Sequence, residues 1–152
     1  VFVAILLCFL GCQAKPTTEE TLKAQAELFL QKVDTLPQLS AAVEDEKTSR
    51  EEAFQLVEEW NKALVEHLKP VMTDQGITNF IANRMPTGFN RFLGIGEEES
   101  TAEHRQVTSV EQLSGGDVDV TVTYTTEEKE VRLLLNFKET DEGWRIESLR
   151  IR

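Results

Sequence analysis

The sequence predicts an α+β domain in which N-terminal helices pack on a curved antiparallel sheet of about four strands. Three observations carry this. Apolar residues recur at helical spacing through roughly the first two thirds of the chain, then from His104 the pattern switches to period two. Clusters of Gly, Ser, Thr, Asp and Glu cut the second part into short segments, and helices followed by one sheet with a single apolar face give a layered α+β arrangement. With 152 residues, 40% of them hydrophobic, the chain is long enough to bury one core.

The helices follow from spacing and end signals. Thr17 with Glu20 three residues later, behind Pro16, forms a capping-box pattern. Leu22, Ala26, Phe29, Leu30, Val33 and Leu36 then mark one face of a first helix that Pro37 interrupts. The segment from Gln38 to Thr48 is at best partly helical and carries the acidic cluster Glu44-Asp45-Glu46. Ser49 with Glu52 repeats the capping pattern and opens a second helix to Leu68 or Lys69, before Pro70. At about 100 degrees per residue its core arc holds Leu56, His67, Trp60, Ala53, Leu64, Val57 and Leu68. Val71, Met72, Ile77, Phe80 and Ile81 predict a third helix. After Pro86-Thr87-Gly88, a short aromatic turn with Phe89, Phe92, Leu93 and Ile95 is expected to close over a core or pocket. Glu97-Glu98-Glu99 marks an exposed connection.

The strands follow from alternation. A strand is expected around Gln106 to Leu113. Val118, Val120, Val122 and Tyr124 then alternate with Asp117, Asp119, Thr121 and Thr123, and Val131, Leu133, Leu135 and Phe137 alternate with Arg132, Leu134, Asn136 and Lys138. Trp144 and Ile146 share a phase that Leu149 and Ile151 leave, which predicts a bulge near Ser148. Ser114-Gly115-Gly116, Thr126-Glu127-Glu128 and Asp141-Glu142-Gly143 suit hairpin turns.

Residues 1–10 are uncharged and apolar, and Gly11, Cys12 and polar sequence follow at once. That is the length of a signal-peptide core and shorter than the about 20 residues a spanning helix needs. Phe9-Leu10-Gly11-Cys12 resembles the lipobox of bacterial lipoproteins, with Phe9 where Leu is usual. The resemblance implies a signal peptide over 1–11, truncated at its start, removal of that peptide, acyl chains such as palmitate on Cys12, and a lipidated tether over 12–16. A single domain over 17–152 follows. Cys8 would leave with the leader and Cys12 would be consumed by lipid, so the mature domain would hold no disulfide. Gln13 after the cysteine implies the outer membrane in a two-membraned host, and otherwise the outer face of the cell membrane.

Sixteen Lys and Arg against 27 Asp and Glu give a net charge of −11, which argues against nucleic acid and against docking on anionic lipid through a basic face. Two histidines and no paired Cys or His spacing leave no expected transition-metal site, and Gly94-Ile95-Gly96 leads into acidic residues that would repel phosphate, so no cofactor is expected. Asp117 and Asp119 are expected on a solvated face. His104 is expected to be exposed at the start of the first strand.

The order of helices then strands, with the ending Val131 to Phe137, Gly143-Trp144-Arg145-Ile146 and Leu149-Arg150-Ile151, resembles small lipoproteins of the nuclear-transport-factor-2-like, or cystatin-like, superfold. The resemblance implies a cone-like sheet and an apolar pocket between sheet and helices. We expect that pocket to be lined by Trp60, Leu64, His67, Tyr124 and Trp144. The inward stripe carries no Asp or Glu, so no catalytic residue is assigned. Binding of an envelope protein or an apolar small molecule at the membrane is the first expectation. An isomerase, dehydratase or hydrolase using His67, with Tyr124 as its partner, is the alternative, beside a purely structural envelope role.

Overall fold

The computed structural model describes residues 18–152, in which four α-helices precede four strands. The expected leader, Cys12, the tether and the Thr17 cap lie outside the described residues. Helix α1 covers Thr18–Asp34 and buries Leu22, Ala26, Phe29 and Leu30 of the expected stripe, while Val33 is half-buried and Leu36 is buried beyond the helix's end. The chain then leaves the helix and runs to a one-turn 3-10 helix at Ala41–Glu44, capped by the Ser40 hydroxyl. Helix α2 covers Arg50–Leu68 and starts where expected, with Ser49 Oγ accepting the Glu52 N–H at 3.2 Å.

The core arc predicted for α2 requires correction. Only Leu64 and Leu68 are buried, whereas Ala53, Leu56, Val57, Trp60 and His67 are half-buried and Phe54 is 71% exposed. The helix is about 28 Å long at 1.5 Å per residue. Its C-terminal half meets the core and its N-terminal half lies beside the 3-10 turn, so the apolar arc is uniform while its burial is not.

Helix α3 covers Asp74–Ala82, with the Thr73 hydroxyl accepting from the Gly76 N–H at 3.0 Å. The expected aromatic turn is instead a fourth helix, α4, at Met85–Leu93. Pro86 lies in its first turn, where the missing N–H has no helical partner to lose, so the proline that read as a break is a helix start. The helix is entered through Arg84 in a left-handed conformation, is kinked at Gly88, and ends at Gly94 with φ 68°.

Strands β1 (Arg105–Gln112), β2 (Val118–Thr125), β3 (Glu130–Thr140) and β4 (Gly143–Ile151) form an antiparallel meander in the order β1-β2-β3-β4. The architecture is α+β, with the helices on one face of a curved, open sheet. Asn136 faces Ser148 and Phe137 faces Ile146, leaving Glu147 as the extra residue beside the expected bulge position. A second irregularity, at Thr108 between Val107 and Ser109, was not predicted.

The buried sheet stripe is Val118, Val120, Val122, Tyr124, Val131, Leu133, Leu135, Phe137 and Ile146, as its alternation predicted. Phe29, Phe80 and Phe89 fill the space above it, with centroids 6.0–6.3 Å apart, two of the pairs edge-on. Short backbone bonds tie the helical layer to the sheet: Ile146 N–H donates to Val71 O at 2.9 Å and Thr73 N–H to Ile146 O at 3.0 Å. Phe92 stacks on the outer side of Phe89. With the centre of the sheet face filled by phenylalanines, open space is displaced to the rim.

Candidate functional site

That space is a groove of about 1070 Å³ where the C-terminal end of α1, the segment after it, the first turns of α4 and the start of β1 converge. Leu36, Pro37, Trp60, Phe89 and Ile95 supply its apolar walls. Trp60 is half-buried, and its indole N–H donates to the Pro37 carbonyl at 2.8 Å, which fixes the ring at the wall.

At the base lies an ion pair that the sequence reading did not single out. Arg105 Nη1 and Nη2 donate to Asp34 Oδ1 and Oδ2 at 2.7 and 2.6 Å, a two-pronged fit of guanidinium to carboxylate. Nη1 also reaches the Ser100 carbonyl at 3.4 Å. The two partners differ in access: the Arg105 side chain is 6% exposed and that of Asp34 is 42% exposed. Burial pulls the Arg105 pKa down, yet the hydrogen bonds and charge of Asp34 outweigh it and leave the guanidinium raised. Arg91 and Glu97 add one charge of each sign to the lining.

Tyr124 lies beneath this pair, opposite Arg105 in the β1–β2 register, and has no exposed surface. It supports Arg105 from below and is not open to a ligand. Burial pushes its phenol up to about 12, with the neighbouring Arg105 pulling the other way.

Of the five residues expected to line a pocket, the structure brings only Trp60 and Tyr124 to the groove. Leu64 is part of the solid core. Trp144 on β4 is half-buried against that core and contributes nothing to the groove. His67 is also absent from the lining: its Nε2 lies 2.8 Å from the Lys32 carbonyl, to which it donates, and 3.5 Å from the Thr35 hydroxyl. An imidazole at the last carbonyls of α1 is a favourable helix-end contact.

No protein-family model matches the chain, and no curated protein shows significant similarity to it.

Arg105 and Asp34 were legible in principle. Arg105 is in phase with Val107 and opposite Tyr124, so it belongs to the inward stripe, and an inward-facing arginine demands a carboxylate. Starting the strand at Gln106 hid that phase. Asp34 stands out as an acid at a helix C-terminus, the end that disfavours negative charge.

Asp119 also departs from its expected place. On the outer sheet face it is only 4% exposed, accepting from Asn136 Nδ2 at 3.0 Å and from Arg150 Nη2. Its directly opposed partner Asn136 and the covering arginine keep it from water. His104 is exposed, as expected, although it ends a 3-10 turn one residue before β1. Among the described residues, no group of three His, Cys, Asp or Glu side chains could hold a metal ion, and no helix is long and apolar enough to cross a membrane.

Proposed function

We propose that the protein is a lipid-anchored binding domain of the bacterial cell envelope, held on the membrane through Cys12 and taking a ligand in the groove without converting it. One observation carries the binding part: an open groove of about 1070 Å³ in which Leu36, Pro37, Trp60, Phe89 and Ile95 face polar groups, among them the Arg105–Asp34 pair, Arg91 and Glu97. Small-molecule sites fall mostly at about 300–1,000 Å³ and are largely apolar, and this groove is slightly larger and more polar than that. The anchor rests on the apolar run that ends at Gly11-Cys12. Helix α1 spans about 25 Å from Thr18 to Asp34, so the groove lies at the far end of the first helix from the expected tether. The helix-then-meander order also supports placing the domain with the nuclear-transport-factor-2-like, or cystatin-like, lipoproteins.

Geometry favours binding over the His67 enzyme. A base must reach its substrate's proton at about 2.6–3.2 Å, and the His67 nitrogen in question is engaged by the Lys32 carbonyl away from the groove. The deciding experiment expresses the precursor in a bacterium, purifies it from membranes, and determines the mass of its N-terminal peptide together with any small molecule extracted with it. The expected result is a peptide beginning at an acylated Cys12, lost in Cys12→Ser, and a co-purifying compound whose retention falls in Trp60→Ala. A retained leader with an unmodified Cys12 would sink the anchor, and a retained compound indifferent to Trp60 would sink the groove.

A further inference from the structure

The carboxylate on Arg105 is poorly placed for the job it does. Asp34 is the last residue of α1, where the unpaired carbonyls present partial negative charge and a carboxylate is disfavoured. It is also the outer member of the pair, 42% exposed, and free to turn into water. Arg105, by contrast, is 6% exposed and cannot be left bare, because an uncompensated buried charge costs several kcal/mol. Whatever displaces Asp34 must therefore bring an anionic group of its own.

We propose that the groove takes a small amphiphile bearing a single carboxylate, which replaces the Asp34 carboxylate on the Arg105 guanidinium while its apolar body lies along Trp60, Leu36 and Ile95. This deepens the binding reading above and rests on it. The guanidinium fork matches a planar carboxylate through two parallel N–H donors, as its present geometry with Asp34 demonstrates. The three apolar residues lie in the same groove as the fork. A cation would have to leave Arg105 unpaired or compete with it for Asp34, and a neutral ligand offers the fork nothing better than Asp34 already does. Arg91 and Glu97 in the lining are of opposite sign and together do not favour a second charge on the ligand. The overall charge of −11 does not decide the matter, because exposed charges beyond about 8 Å are largely screened at physiological ionic strength, whereas the fork acts at contact.

The test is calorimetric titration of the purified protein with decanoate, decanol and decylammonium, below their micelle concentrations, and of its near-isosteric Asp34→Asn variant with the same three. Decanoate is expected to bind at least about tenfold tighter than decanol, the scale of one charge-assisted hydrogen bond, and decylammonium weakest. Asp34→Asn should tighten decanoate by about a further tenfold, because the internal competitor is gone, and leave decanol unchanged. A purely architectural ion pair predicts the opposite sign, with Asp34→Asn weakening every ligand. Equal binding of decanoate and decanol would overturn the carboxylate assignment and leave the groove reading standing. Binding of none of the three by the unmodified protein would overturn both. The comparison among ligands on the unmodified protein stands even if Asp34→Asn fails to fold.

Discussion

Gly76 and Gly88 lie in neighbouring helices, yet only one of them is required by its surroundings. A Cβ on Gly76 would stand 2.5 Å from the Ile146 carbonyl oxygen, a backbone atom of β4 that cannot swing away. A Cβ on Gly88 would meet nothing closer than Arg91 Cβ at 3.9 Å, and its φ of −153° suits any residue. Gly76→Ala is therefore expected to destabilise by roughly 1–3 kcal/mol, and Gly88→Ala to change stability by no more than about 1 kcal/mol, read as midpoint shifts in urea unfolding. Tyr124 offers a second test, because it is the one tyrosine of the chain. Its phenol is raised from 10.0 to about 12 by burial, so the folded state favours the protonated form. The stability this contributes is fully present below pH 10 and is lost as pH rises from 10 towards 12. An ultraviolet titration of the folded protein should give a phenolate midpoint near 12, and Tyr124→Phe should flatten the alkaline loss of stability. A midpoint near 10 would show the ring open to water.

Among the elements, α2 separates amphipathic pattern from actual burial. Its apolar arc runs its whole length, but only Leu64 and Leu68 are buried, and Phe54 stands 71% exposed. Leu64→Ala should cost about 2–5 kcal/mol and Phe54→Ser less than about 0.5 kcal/mol, measured by denaturant unfolding. A comparable loss at Phe54 would mean that the N-terminal half of α2 is covered. The inward face of β2 and β3 was legible almost residue by residue, since period two admits only one phase for their valines and leucines, whereas the burial of Asp119 and Leu134 on the outer face was not. The helix α4 was not legible, because Pro86 and Gly88 are breakers by type and only their positions, at the first turn and at a kink, make them compatible with a helix.

For the whole molecule, Arg105 and Asp34 join β1 to the end of α1 across 71 positions of chain. Asp34→Asn leaves the buried Arg105 guanidinium without its carboxylate and is expected to cost about 2–3 kcal/mol in urea unfolding, less than a fully buried pair because Asp34 is itself 42% exposed. Arg105→Met should cost less than Asp34→Asn, because it leaves only the exposed Asp34, which water can solvate, and puts an apolar side chain beside the buried Tyr124. The reverse order would mean that Arg105 tolerates losing its carboxylate, and the ligand exchange proposed at this pair would lose its basis.

Periodicity and end signals by themselves determined that helices precede a four-strand meander, the inward valine and leucine stripe, the Ser49 cap and the region of the β4 bulge, because each depends on neighbours a few residues apart. Only the tertiary structure decided where space remains. The phenylalanines of three different helices converge on the sheet and fill the pocket expected there, which moves the groove to the rim and leaves Leu64, His67 and Trp144 outside it. Likewise Asp119 is buried and Arg105 paired only through residues 17 or more positions away. Cavities and buried charges are settled by such distant contacts, and a local pattern carries no record of them.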